Sequence, residues 1–200
     1  MPSTDYQTAC CLIDGAYVRQ RMDEIGVAWA RVDLYKLAQR AVLQVQSHGW
    51  IGSPMALSRV YVYDAIPDVD MARGAIHAPN SVAAWLQRND DLPDVLVRYG
   101  RLIEDAGGKK PSRQKAVDIY LAVDAVSLAF KRLCDVLVLV AGDGDYVPIL
   151  DAVRENGPLV ALSSFRTGLS SELAKAADRI GYFPTDIPSQ AYYLFDGETV

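Results

Sequence analysis

Three apolar, strand-like runs in this chain each break off at an aspartate. Cys10-Cys11-Leu12-Ile13 leads into Asp14-Gly15, and Val60-Tyr61-Val62-Tyr63 leads into Asp64. Val136-Leu137-Val138-Leu139-Val140 leads into Ala141-Gly142-Asp143-Gly144-Asp145. Helix-like stretches separate the runs, and that alternation predicts a parallel α/β sheet. The strands of such a sheet end along one edge, where ligands bind. Carboxylates gathered there repel one another unless a cation lies among them. Hard oxygen donors suit Mg²⁺ or Mn²⁺, so the pattern points to metal-assisted chemistry on a phosphate.

The spacing predicts a first strand over residues 8–13 and a helix over 32–46, where Leu34, Leu37, Ala38, Ala41, Val42 and Val45 repeat at helical intervals. Strands are expected at 58–63 and 94–99, and an apolar helix at 116–133. A central strand at 135–140, buried on both faces, precedes a helix at 146–155 that Asn156-Gly157-Pro158 ends. A strand at 159–162 and a helix at 171–178, with Ser170 or Ser171 as N-cap, complete the order. Two stretches break the alternation. Residues 65–93 carry Pro67, Pro79 and Pro93 with a short helix near 82–87, and a tail at 184–200 is rich in tyrosine and proline. The expectation is one domain over 1–183, with the tail packing on it or meeting a partner.

Two hundred residues, half of them hydrophobic, can bury a real core and argue against disorder. The net charge of -5 disfavours a general electrostatic grip on nucleic acid but leaves room for a local basic patch. Cys10, Cys11 and Cys134 sit in apolar runs without CxxC spacing, as buried thiols of a reducing compartment do. The sequence shows neither a signal-peptide pattern nor a membrane span, so the expected location is the cytoplasm.

Asp143 leaves the central strand, and Asp145 is placed to cap the following helix. Capping accounts for Asp145 alone, not for Asp14, Asp118 and Asp143 on one edge. Asp118 follows Lys115 by three residues, so the two read either as a surface ion pair or as a metal ligand beside a phosphate-binding lysine. Asp64 and Asp124 are secondary acidic candidates: Asp64 as a metal ligand, a support for one or a turn residue, Asp124 as a cap, a support or a solvated residue. Arg98, Arg101, Lys109, Lys110, Arg113 and Lys115, around Gly107-Gly108, form a basic set that either grips an RNA backbone or is simply solvated. Arg166, with Thr167, Ser170 and Ser171, is a second phosphate candidate. Tyr17 and Trp85 either stack on bases or pack in the core. His48 and His77 lie in no motif, so metal-free catalysis through a histidine pair is not expected.

Five ordered pieces carry a resemblance. They are Ile13-Asp14-Gly15, Tyr63-Asp64-Ala65, Gln114-Lys115-Ala116-Val117-Asp118 with Asp124, Val140-Ala141-Gly142-Asp143-Gly144-Asp145-Tyr146-Val147-Pro148, and Ser170-Ser171-Glu172-Leu173 followed by Ala177-Asp178. Together they resemble the NYN domain family within the PIN-like nuclease group, and its LabA-like branch most. The resemblance implies a three-layer α/β fold with a central, mainly parallel sheet flanked by helices. It also implies Mg²⁺- or Mn²⁺-dependent cleavage of RNA, single-stranded or structured, with Asp14, Asp118, Asp143 and Asp145 as the catalytic metal-binding set. Lys115, Arg113, Arg166 and Ser170 are the residues expected to hold the RNA. Family members commonly carry an Asn just after the first Asp, as Asp-Gly-Ser-Asn or a close variant, whereas this chain reads Asp14-Gly15-Ala16-Tyr17.

Two other readings compete. One is a module of the same fold that binds RNA or a protein without turnover, which the missing Asn favours. The other is a dehalogenase-type phosphatase, which needs a second Asp two residues after the first-strand Asp, where Ala16 stands. An EF-hand ligand series is absent. A homo-oligomer is left open.

Overall fold

The computed structural model describes residues 6–47, 53–67, 81–103, 113–185 and 193–197. The chain runs β1 (Gln7–Asp14), α1 (Gly15–Glu24), a 3-10 turn (Trp29–Arg31), α2 (Leu34–Ser47), β2 (Met55–Pro67), α3 (Val82–Asp90), β3 (Val95–Ile103) and β4 (Arg113–Lys115). It continues through α4 (Val117–Phe130), β5 (Val136–Val140), a 3-10 turn (Gly144–Tyr146), α5 (Val147–Glu155), β6 (Leu159–Ser164), α6 (Ser171–Ala176) and β7 (Arg179–Tyr182). The sheet order is β4-β3-β2-β1-β5-β6-β7. Six strands are parallel, and β4 pairs antiparallel to β3 at one edge.

Strand pleating divides the apolar runs between two cores. Ala9, Cys11 and Ile13 of β1, with Val136, Val138 and Val140 of β5, face α1, α2 and α3. Cys10 and Leu12, with Leu137 and Leu139, face α4, α5 and α6. Burial of each such Leu, Ile or Val contributes roughly 1.5–3 kcal/mol, which fixes β1 and β5 at the centre of three layers. Strands are added outward from β1 through β2 to β3. The chain then crosses back through α4 to lay β5 on the other side of β1. The sheet therefore has its switch point between the carboxyl ends of β1 and β5, where a doubly wound fold opens a crevice. The three cysteines are free and buried.

Several elements differ from the sequence expectation. Asp14-Gly15 opens α1, a helix absent from the sequence reading. Asp33 precedes α2 and caps it, its Oδ1 accepting from the Tyr35 and Lys36 amides at 2.9 and 3.0 Å. The helix expected over 171–178 stops at Ala176, because the Asp178 carboxylate turns to the Val160 amide at 2.8 Å. Lys115 lies in β4, so it shares no helix face with Asp118. Trp85 is buried and donates from its indole N–H to the Val32 carbonyl at 2.9 Å; it belongs to the core and is no base-stacking platform. In the tail, Leu194 bridges antiparallel to Val32, and Tyr193 and Phe195 are buried. Lys109, Lys110, Gly107-Gly108, His48, His77, Pro79 and the tail at 186–192 and 198–200 lie outside the described residues, as do the side chains of Pro67, Arg113 and Lys115. Among the described residues no helix is long and apolar enough to cross a membrane.

Candidate active site

Asp14 is both the last residue of β1 and the N-cap of α1, its Oδ1 accepting from the Tyr17 amide at 3.0 Å. Its Oδ2 lies 3.1 Å from the Tyr146 hydroxyl, and the same hydroxyl lies 2.9 Å from Asp118 Oδ1. Carboxylates 104 positions apart in the chain thus converge on one phenol at the switch point. A hydroxyl has one proton to donate. With both carboxylates ionised, one of the two contacts sets a lone pair against a negative oxygen. The electrostatics agree. Burial raises the Asp14 carboxyl from its usual 3.8 to about 6, the amide of Tyr17 and the hydroxyl of Tyr146 oppose the rise, and Asp64 and Asp118 add to it. The Tyr146 phenol is pushed upward by burial and by the two carboxylates beside it. Either a proton or a cation relieves this crowding.

Asp143 follows β5 through Ala141 and Gly142. It is exposed, and its carboxylate caps the 3-10 turn, accepting from the Asp145 amide at 3.0 Å. Asp145 therefore stands in the first turn as an exposed acid and is not the cap expected of it; α5 itself begins after Tyr146 without a side-chain cap. Among the described residues no three His, Cys, Asp or Glu side chains converge as a finished metal cage. The donors nonetheless suit a hard divalent ion. Mg²⁺ is commonly held by one or two carboxylates while keeping several waters, and Asp14 with Asp118 supplies that pair. Asp143 is next to them along the edge.

The secondary acids have other work. Asp64 is fully buried in β2 and paired fork to fork with Arg19 of α1, at 2.8 and 3.0 Å. That pair packs under the β1–α1 junction so tightly that a Cβ at Gly15 would lie 2.8 Å from Asp64 Oδ2. Asp124 accepts from the Tyr63 hydroxyl at 3.1 Å and from Arg98 Nε at 3.0 Å, tying α4 to β2 and β3. The structure gathers neither into the Asp14–Asp118 pair.

A pocket of about 420 Å³ opens beside Asp14 and Asp143, lined also by Ala16, Tyr17, Gln20, Arg21, Gly142 and Gly168. Tyr17 is buried in its wall, its hydroxyl 2.6 Å from Ser164 Oγ and accepting from the Phe165 amide at 3.1 Å; it is packed, not presented for stacking. Gly142 has to be glycine here, since a Cβ would meet the Tyr17 ring at 2.5 Å. Arg21, only 6% exposed, is the residue that sequence reasoning missed. Its Nη2 pairs with Glu24 at 2.6 Å, its guanidinium lies 5.7 Å from the Tyr17 ring, and its Nε has no hydrogen-bond partner among the described residues. The spacing of Tyr17 and Arg21 on one helix face would have signalled the contact, had α1 been recognised. Arg166 lies exposed over the Tyr182 ring at 4.2 Å, and Ser170 caps α6 through the Glu172 amide at 3.2 Å. A second pocket of about 370 Å³, around Cys134 and Asp135, lies at the opposite end of β5, away from these groups.

Fold and site together define a doubly wound α/β protein with an acidic crevice at its switch point. The chain belongs to the NYN domain family, whose model matches residues 10–183. This is a family of ribonuclease-like domains on a PIN-like fold, and PIN-like nucleases usually use divalent metals. An uncharacterized protein of Methanocaldococcus jannaschii is 33% identical over 64 residues, a stretch covering 32% of this chain and 27% of that protein, so the match spans about a quarter of the relative's length. A crystal structure of a protein of unknown function from Vibrio parahaemolyticus superposes with a TM-score of 0.57 over 98% of this chain and 100% of that one, at 16% identity, a likeness of fold.

Proposed function

We propose that this chain is a Mg²⁺- or Mn²⁺-dependent ribonuclease of the LabA-like branch, hydrolysing RNA phosphodiester bonds at the Asp14–Asp118 pair. The observation that carries the reading is the shared Tyr146 hydroxyl. Two carboxylates held at one point with too few protons make a site that favours a cation. Asp14 and Asp118 would hold the ion, with Asp143 and Asp145 on the adjoining loop. When bound, it lowers the pKa of a water and stabilises charge on the leaving oxygen. The chain's own residues do the rest. Tyr146 fixes the spacing of the two carboxylates. Arg21 offers a guanidinium to phosphate oxygens in the pocket. Arg166 lies further along the same edge of the sheet, where it can meet the RNA backbone.

A binding module without turnover is the second reading, favoured by Tyr17, whose packed ring stands in the Asp-Gly-x-x segment where relatives carry Asn. Labelled single-stranded RNA, structured RNA and single-stranded DNA, incubated with Mn²⁺, Mg²⁺ or EDTA, separate the two. Metal-dependent RNA cleavage that Asp118→Asn lowers by about 100-fold or more supports the nuclease. RNA binding without cleavage by folded, metal-supplied protein supports the module.

A further inference from the structure

Two arginines of α1 meet carboxylates, and only one of them is fully matched. Arg19 turns the side-on fork of its guanidinium, Nε with Nη2, to both oxygens of Asp64 at 2.8 and 3.0 Å. Arg21 turns the same fork to Glu24, but only its Nη2 is engaged, 2.6 Å from Oε1. Its Nε is buried with no hydrogen-bond partner among the described residues. The Arg21 side chain is 7% exposed and that of Glu24 43%, so the unmatched donor belongs to the deeply buried partner. A buried donor on a charged group costs more when left unmade than an ordinary hydrogen bond gains. The fold nevertheless holds this guanidinium in place. The Tyr17 ring lies 5.7 Å away, and Gly168, at φ +73°, comes so near that a Cβ there would overlap Nη1. The same side chain lines the pocket of about 420 Å³ beside Asp14 and Asp143.

We propose that Glu24 is only the resting partner of Arg21, displaced when an RNA phosphate flanking the cleaved bond takes Nε and Nη2 together. The inference rests on RNA as the ligand of this crevice, though not on its cleavage. Glu24 suits such an exchange. It is exposed, and an i,i+3 ion pair at the surface holds it weakly. A phosphate offers two oxygens to the fork where Glu24 gives one. Position selects which phosphate. Arg21 follows Asp14 by seven residues, about 10 Å along α1, so it meets a neighbour of the phosphate that the metal holds. Asp14 and Asp143 line the same pocket and repel an anion until a cation offsets them, so the strand enters with the metal bound.

Fluorescence anisotropy of the full chain in Mg²⁺, with a short labelled single-stranded RNA whose phosphorothioate linkages resist cleavage, tests this. Arg21→Gln should weaken binding by about 10-fold or more, as loss of charged hydrogen bonds does. Arg21→Lys should recover only part, because an ammonium lacks the fork. Glu24→Gln should tighten binding by about 2–5-fold. Asp23→Asn, the same change of charge at the exposed neighbouring residue, should do less. In Arg21→Gln protein, Glu24→Gln should change nothing, and that non-additivity separates displacement from a general effect of charge. Circular dichroism checks that the variants fold; Glu24 is exposed, so its variant decides the matter even where Arg21→Gln folds poorly. Equal affinity of wild type and Glu24→Gln, or tightening that Asp23→Asn reproduces in full, overturns the proposal. Ordinary RNA left uncleaved, with these affinities as expected, refutes the nuclease alone. No RNA binding by any of these proteins overturns both.

Discussion

Asp14 is where the chemistry of this molecule concentrates, and its titration has a definite sign. Burial holds its carboxyl near 6 in the fold against 3.8 ordinarily, so the folded state keeps a proton that the unfolded chain gives up. In metal-free protein, stability should therefore fall as pH rises from about 4 to about 6, and the full penalty should persist above 6. Asp14→Asn removes the titration. In EDTA the variant should unfold at a higher temperature than wild type at pH 7, by a few degrees for the roughly 1–2 kcal/mol left after solvent screening. At pH 4 the two should nearly coincide. Melting curves across that window check this; parallel curves would mean that Asp14 is not desolvated as its position implies.

Among the elements, the turn into α4 carries the clearest local strain. Ala116 has φ +72°, with no side chain capping the helix that follows, and it holds Asp118 in the first turn towards Tyr146. A left-handed alanine costs roughly 1–2 kcal/mol that glycine avoids. Part of that gain is lost to the freer unfolded chain, so Ala116→Gly should stabilise the protein by about 0.5–1 kcal/mol. Urea unfolding reads the change, and a destabilised variant would show that the helix start depends on the Ala116 methyl. No propensity in the sequence announces this turn, and the same holds for the other elements that sequence reading missed. β1 and β5 were legible because each holds an unbroken apolar run, Ala9–Ile13 and Val136–Val140, as a strand covered on both faces requires. α1 was not, because its residues are mostly polar and only a narrow strip, including Tyr17, Val18 and Met22, is buried. β4 and β7 are three and four residues long at the sheet edges, too short for periodicity to show. In the site, aspartates were readable from their places after strands. The part of Tyr146 was not, since it depends on α5 packing against α4, and Arg21 needed α1 before its face had a meaning.

At the scale of the whole molecule, the candidate site is a product of topology. Asp14 comes from the first strand, Asp118 from the crossover helix, and Asp143 from the loop after the strand laid beside the first. They meet only when α4 has carried the chain back across the sheet. An unfolded chain therefore offers no comparable site, and a ligand of the assembled crevice binds the native state alone. Such a ligand stabilises the whole fold by an amount that grows with its concentration, about 2.7 kcal/mol at a hundred times its dissociation constant. For a chain of this length each kcal/mol shifts the midpoint by about 2–4 °C. Millimolar Mn²⁺ or Mg²⁺ should thus raise the melting temperature of wild type by several degrees, and EDTA should reverse the rise. Asp118→Asn should lose most of it while keeping its metal-free melting temperature, because Asp118 is exposed and its removal leaves no cavity. Differential scanning fluorimetry with both proteins, and Ca²⁺ as the larger-ion comparison, checks this without any turnover. An equal shift in the variant would place the ion away from Asp118, and no shift in wild type would leave the Asp14–Asp118 pair to be settled by a proton instead of a metal.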